Sequence, residues 1–275
     1  MTARIFFTVL KYLSLVVASV VTLLPLSVVV IASLKGQKEF ATTGPFDLPQ
    51  NFFNFENFVT FFLKGHILQG LLNTTFILVI SLAGTLLIGT MTAYAIDRFT
   101  FRFKGLVLGA FLVATLVPGV TTQVATFQIV NNLGLFNTLL APIVLFLGTD
   151  ILSIYIFVQF MASIPKSLDE AAMLDGANRW TIYWRVILPL LKPAIATVVI
   201  IRGIAIYNEF YIPFLYMPSQ DLATISTSLF RFKGPFGAQW EVIAAGTIVV
   251  IIPTLILFLV LQKYIYNGFT SGATK

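Results

Sequence analysis

The chain has 275 residues, 58% of them hydrophobic and only 10% charged, with a mean hydropathy of +0.94. That balance excludes a water-soluble globular domain and requires a lipid bilayer. The net charge of +6 comes without a basic tract or interleaved stacking aromatics, so it gives no reason to expect a nucleic-acid partner. Cysteine is absent, which excludes a disulfide framework and a thiolate metal site, and His66, the only histidine, has too few partners to be a ligand and is expected at the surface.

Six apolar runs reach the roughly 20 residues that a helix needs to cross a hydrocarbon core. They fall near Val9 to Leu34, Leu72 to Ile96, Leu106 to Val130, Leu139 to Ala162, Ala194 to Met217 and Val242 to Tyr264. Backbone groups in lipid must be satisfied within the segment, so runs of this length are read as helices and not as strands of a barrel. The first is too long for a signal peptide and meets Lys35-Gly36 without a small-residue cleavage pattern, so it is expected to be retained.

Between the first two runs, Lys35 to Gln69 carries Gly44-Pro45, Leu48-Pro49 and the aromatic stretch from Phe52 to Phe58. Those aromatics predict a short helix at headgroup level. Asn73 is expected to start the second helix. Within that helix Ser81, Thr85, Gly89 and Ala93 recur at steps of four and predict one small-residue face for close packing. Gly105 with Gly109, and Ala110 with Ala114, offer a similar surface on the third run. Pro118-Gly119, followed by Thr121, Thr122 and Gln123, should interrupt the hydrogen bonding of that run, and Pro25, Pro213 and Pro253 mark possible kinks elsewhere.

Asp150, Arg202 and Glu209 fall inside the expected spans, where facing lipid costs each at least about 2.5–3.5 kcal/mol. They should therefore face protein or water. Arg202 and Glu209 share a helix face but stand about 10 Å apart along its axis, so each needs another partner. A line of Arg202, Asn208, Glu209 and Tyr211 would suit a hydroxylated solute; bonding to neighbouring helices or to a second subunit is the structural alternative.

Orientation follows from the basic flanks. Arg4, Lys11, Arg98, Arg102, Lys104, Lys166, Arg179, Arg185, Lys192, Lys263 and Lys275 lie on one side, against Lys35, Lys38, Lys64, Arg231 and Lys233 on the other. Both termini and the loop between the fourth and fifth runs are then expected in the cytoplasm.

That loop holds the only patterned charged insertion between apolar runs. Ser167 followed three residues later by Glu170 has capping-box spacing, and Gly176 can close a helix in the left-handed conformation. The prediction is a helix of about two turns, about 12 Å long, too short to persist alone. A partner that grips it, or a merely solvated connector, would each account for it.

Glu170-Ala171-Ala172, then Gly176, then Val186-Ile187-Leu188-Pro189 resembles the "EAA" loop of membrane subunits of binding-protein-dependent ABC importers, with Val186 where isoleucine is usual. Tyr207-Asn208-Glu209-Phe210-x-x-Pro213 is similar to a segment of the fifth core span of sugar permeases, with tyrosine replacing tryptophan. The run from Gln262 to Ala273 looks like the ending of the smaller second permease of maltose-type importers, in the carbohydrate-uptake-1 family.

The resemblance implies an all-α integral membrane protein with six transmembrane helices, the type I ABC importer permease fold and a cytoplasmic coupling helix. It implies residues 1–71 as first helix and external loop, a core over 72–265 with the coupling loop at 163–190, and a cytoplasmic tail at 266–275. Ser167, Asp169, Glu170, Ala171, Ala172, Asp175, Gly176, Leu188 and Pro189 would couple to an ATPase. Gln123, Asp150, Asn208, Glu209 and Tyr211 would line the path, and Gly268, Thr270 and Gly272 would reach toward the ATPase pair.

Implied partners are a second related permease, two ATPase subunits, an extracytoplasmic sugar-binding protein and membrane lipid, in a bacterial or archaeal cytoplasmic (inner) membrane. The chain carries no Gly-x-x-x-x-Gly-Lys-[Ser/Thr] loop, so it is not expected to be an enzyme or to bind a cofactor, with ATP and Mg on the partner subunits. The solute would be a sugar or oligosaccharide, with glycerol phosphate or a polyuronide as alternatives inside the class. Outside it stand a secondary transporter or channel subunit relaying charge through Asp150, Arg202 and Glu209, and an intramembrane enzyme, for which no catalytic set is apparent.

Overall fold

The computed structural model describes residues 2–147, 150–234 and 237–273. In chain order its helices are α1 (Thr2–Leu34), α2 (Gln37–Thr42), α3 (Glu56–Lys64), α4 (Ile67–Arg98), α5 (Lys104–Leu116), α6 (Gln123–Asn132), α7 (Leu140–Leu147) and α8 (Ile151–Ala162). They continue as α9 (Ser167–Leu174), α10 (Arg179–Ile182), a π-helical turn (Tyr183–Ile187), α11 (Leu188–Leu190), α12 (Lys192–Asn208), α13 (Tyr211–Tyr216), α14 (Ile225–Ser228) and α15 (Trp240–Ala273). Among the described residues β-structure is confined to a two-residue hairpin, β1 (Lys233–Gly234) against β2 (Gly237–Ala238).

Among the described residues three helices are long and apolar enough to span a membrane: α1 from Ile5, α4, and α15 over Trp240–Val260. Two bent pairs pass the same test together, α7 with α8 at 42° and Arg179–Leu190 with α12 at 70°. The third expected run is not one helix. Val117 turns extended (ψ 114) ahead of Pro118, whose ring disfavours the helical conformation in the residue before it, and α5 ends there. The fifth run also breaks: Glu209 is extended (φ −65, ψ 122), because Pro213 cannot donate to the carbonyl of Glu209 that a continuous helix would use. The π-helical turn has the same origin, since Pro189 has no N–H and the amide of Leu188 bonds instead to the carbonyl of Tyr183.

Two compact units emerge. The first comprises residues 1–68 with 227–253, and the second 69–226 with 254–275. Residues 227–253 join the first unit because Phe61 of α3 demands them. Phe61 is fully buried, packs tilted against Phe232 with ring centroids 5.6 Å apart, and lies where a Cβ on Gly246 of α15 would collide with its ring. Buried Lys35 donates from Nζ to Thr43 Oγ1 and the Gly44 carbonyl, both at 2.8 Å, and Asn57 Nδ2 donates to the carbonyls of Ser33 and Lys35 at 2.8 Å. These bonds satisfy the end of α1, whose last carbonyls have no helical partner.

The aromatic stretch expected to be helical from Phe52 stays irregular until Glu56. Asn51 and Asn54 accept through Oδ1 from the amides of Phe53 (2.9 Å) and Glu56 (3.2 Å), local turns that compete with the helix.

In the second unit the small-residue face of α4 is buried: Ser81 and Ala93 are fully covered, Thr85 nearly so, and a Cβ on Gly89 would stand 3.0 Å from the Phe157 ring of α8. Phe157, Met161, Ile182, Ile187, Leu191 and Val198 complete a core between α4, α8, α10 and α12. Asn73 does not start a helix. It sits inside α4, 5% exposed, and its Nδ2 donates to the carbonyls of Asp221 and Ala223 at 2.9 Å, while Thr74 Oγ1 accepts from the Ile225 amide at 2.9 Å. Helix α4 begins six residues earlier than expected, at Ile67, because this tertiary clamp uses the asparagine for other work.

Candidate functional site

Helix α9 occupies the predicted loop with eight residues, Ser167–Leu174. Its C-terminus closes as foreseen. Gly176 has φ +86; its amide donates to Met173 (3.0 Å) and that of Ala177 to Ala172 (2.9 Å), the paired bonds of a Schellman motif. Ala172 and Ala177 both pack on the core cluster, so the motif's apolar contact is anchored inside the unit.

The N-terminus differs from expectation: no side-chain cap forms, and Ser167 is the first helical residue instead of the cap. Lys166 is already helical (φ −66, ψ −21) behind Pro165, and its carbonyl accepts from the amides of Asp169 (3.0 Å) and Glu170 (3.1 Å). The capping box is thereby displaced, and Asp169 and Glu170 act through the helix dipole in the first turn.

The loop residues divide by exposure. Ser167, Glu170, Ala171, Asp175, Gly176 and Pro189 face outward, Ala172 and Leu188 pack partly on the core, and Asp169 is 3% exposed. Leu168 and Leu174 are exposed at 41% and 90%, beside Trp180 and Trp184 at 57% and 42%. An apolar patch on a polar loop, flanking an exposed glutamate, has the composition of a docking surface.

Three residues to which sequence reasoning assigned no part in the loop tie it to α4. Thr90 Oγ1 shares a hydrogen bond with the Tyr183 hydroxyl at 2.8 Å, the Tyr94 hydroxyl donates to the Arg179 carbonyl at 3.3 Å, and Arg98 Nε lies 2.7 Å from Asp169 Oδ2. Their step of four, one polar residue per helical turn beside the small-residue face, was the available signal. Asn178 was also missed; its Oδ1 caps α10 by accepting from the Thr181 amide at 2.8 Å.

The expected path residues bond in separate places. Asp150 caps α8 and pairs with Arg202 Nε at 2.8 Å, supplying the partner that Glu209 is too distant to provide. Glu209 sits at the break between α12 and α13: its Oε1 accepts from the amides of Tyr211 (2.8 Å) and Ile212 (3.2 Å), starting α13. Asn208 is exposed and bonds back to the Ile204 carbonyl at 3.0 Å, and Tyr211 is 48% exposed. Gln123, at the start of α6, donates to the Tyr216 hydroxyl at 3.1 Å. Gly268, Thr270 and Gly272 lie outside the residues whose surroundings are described.

A helical membrane chain with broken spans and a short, capped, outward-facing helix between two of them has the build of an importer permease. Residues 86–270 match the family of binding-protein-dependent transport system inner membrane components, and the chain belongs to that family. It is 33% identical over 209 residues to the galactooligosaccharides transport system permease protein GanQ of Bacillus subtilis (strain 168), covering 75% of this chain and 74% of the relative. To the probable starch degradation products transport system permease protein AmyC of Thermoanaerobacterium thermosulfurigenes it is 29% identical over 271 residues, covering 96% and 97%. The fold is that of a type I ABC importer permease: the chain aligns with one from the crystal structure of a bacterial ABC transporter that imports the acidic polysaccharide alginate, at a TM-score of 0.84 and 20% identity, covering 96% and 98%.

Proposed function

We propose that this chain is the smaller permease subunit of an ATP-driven importer of a sugar or oligosaccharide, crossing the cytoplasmic membrane six times with both termini inside. The six crossings are α1, α4, α5 with α6, α7 with α8, α12 with α13, and α15. It pairs with a second related permease, receives its solute from an extracytoplasmic binding protein, and takes energy from two ATPase subunits that hold ATP and Mg. Relatives named for the transport of galactooligosaccharides and of starch degradation products support the substrate class.

The observation that carries the reading is α9: eight residues closed by a Schellman motif, packed on the core through Ala172 and Ala177, with Leu168, Glu170 and Leu174 facing out. A helix this short holds its shape only through such packing, which leaves its outer face free for a groove on the ATPase. Movement of the ATPase pair then displaces α9 as a lever, and the core spans exchange outward-open and inward-open arrangements. Asp150 and Arg202 serve that exchange as a structural pair inside the core.

Affinity purification of the tagged chain in mild detergent is expected to retain a nucleotide-hydrolysing subunit in fixed stoichiometry. Glu170→Arg should abolish that retention and oligosaccharide uptake while leaving the amount of chain in the membrane unchanged. Wild-type retention by Glu170→Arg would refute the docking role. A thermal-shift panel of neutral and acidic oligosaccharides on the associated binding protein identifies the solute.

A further inference from the structure

We infer that Arg98 is the positioning residue of the coupling helix: through a buried ion pair with Asp169 it makes the end of α4 and α9 move as one body. The inference rests on the coupling role proposed above and adds the element to which the lever is rooted.

The Arg98 side chain is 2% exposed and that of Asp169 is 4%. Charged side chains are almost never this buried unless paired. Arg98 is held on three sides: Nη1 donates to Asp97 Oδ2 at 2.6 Å, Nη2 donates to the Ile164 carbonyl at 2.9 Å, and Nε, which forms no hydrogen bond among the described residues, lies 2.7 Å from Asp169 Oδ2 as an ion pair. The guanidinium thus holds both the chain entering α9 and α9 itself. Asp169 depends on it more heavily, for both of its buried carboxylate oxygens accept no hydrogen bond among the described residues. The Arg98 charge is what compensates them, and without it a buried carboxylate is left exposed to the full desolvation penalty.

The ion pair is the outermost rung of a ladder. Thr90, Tyr94 and Arg98 follow at steps of four along one face of α4 and reach Tyr183, Arg179 and Asp169 in turn. Phe99 closes the far side, edge-on to Tyr94 at 5.8 Å and beneath the Arg179 guanidinium at 5.5 Å. Segments before, within and after the coupling helix are therefore fastened to a single spanning helix. A push on α9 cannot be absorbed by a hinge at Ile164 to Lys166 without separating buried charges, so it is delivered to α4.

The absence of native cysteines permits spin labels at Leu87→Cys on α4 and Met173→Cys on α9, both exposed positions. Electron–electron distances are measured in the purified complete transporter, nucleotide-free and ATP-trapped. The wild-type background is expected to give the same single narrow distance in both states. In Arg98→Gln the distribution should broaden by about twofold or more and differ between states, and α9 amides should exchange about tenfold faster or more, since a one-sided loss strands Asp169. Adding Asp169→Asn to Arg98→Gln should recover amide protection, because the stranded charge is gone, yet leave the distance broad. Arg98→Lys, which keeps the charge and loses the fork, is the second variant should Arg98→Gln not assemble, and it too should broaden the distance. A narrow, state-independent distance in the Arg98 variants overturns the inference, as does a wild-type distance that changes with nucleotide. A wild-type preparation that hydrolyses no ATP would instead overturn the importer reading beneath it.

Discussion

Gly176 is the residue whose chemistry is least replaceable in the loop, because a side chain there meets the left-handed backbone at a cost of about 1–2 kcal/mol. Gly176→Ala is expected to speed exchange of the amides that close α9 by about 5–30-fold, and Gly176→Pro to lose the closure altogether, since the amide bonded to Met173 disappears with it. Hydrogen exchange by mass spectrometry of the 170–178 peptide checks both. The Asp150–Arg202 pair makes a second prediction at this scale. Removing either partner alone strands a charge within the membrane domain and should cost about 3–5 kcal/mol, while the double neutral variant should cost less than the sum. A denaturation double-mutant cycle in detergent reads the difference; strict additivity would show the pair to be independent. Glu209 was legible as an acid in an apolar setting, but not as a helix cap, because the cap depends on a chain break that Pro213 imposes from four residues away.

At the scale of elements, glycine positions separate packing from mere composition. Gly89 and Gly109 both belong to small-residue stripes readable in the sequence, yet a Cβ on Gly89 meets the Phe157 ring whereas nothing lies within 4 Å of one on Gly109. Gly89→Leu should destabilise the chain by about 1–3 kcal/mol through overpacking, and Gly109→Leu by no more than about 0.5 kcal/mol. Melting temperatures of the two purified variants distinguish them; equal losses would mean the α4–α8 contact is not close-packed. The existence of six apolar runs was plain from hydropathy, and the interruption of the third was expected from Pro118-Gly119. That Asn73 lies within α4 was not, because its partners, the carbonyls of Asp221 and Ala223, are almost 150 residues away in sequence.

For the whole molecule the proposed orientation is a claim about charge asymmetry and is checked by access. In a chain free of native cysteine, Phe53→Cys should react with a membrane-impermeant maleimide in intact cells, and Ser163→Cys only after the membrane is opened. Reaction of Ser163→Cys in intact cells would overturn the assigned topology and remove α9 from the reach of a cytoplasmic ATPase. The grouping of residues 227–253 with the first 68 also belongs to this scale: the hydrophobic pattern marks Phe61 and Gly246 as apolar and small, but not as neighbours.

Hydropathy, basic flanks and the Glu170–Gly176 spacing were enough to establish a multi-span membrane chain, its topology as an expectation, and a two-turn helix with a glycine stop. These are local properties, set by transfer of side chains from water and by the backbone of single residues. The tertiary structure decided which polar groups were partners: Arg98 with Asp169, Asp150 with Arg202, Asn73 with the loop before α14, and Phe61 with Gly246. A buried charge or amide announces in sequence that it requires compensation, but the compensating group is chosen by which helices lie side by side, and no residue carries that information alone.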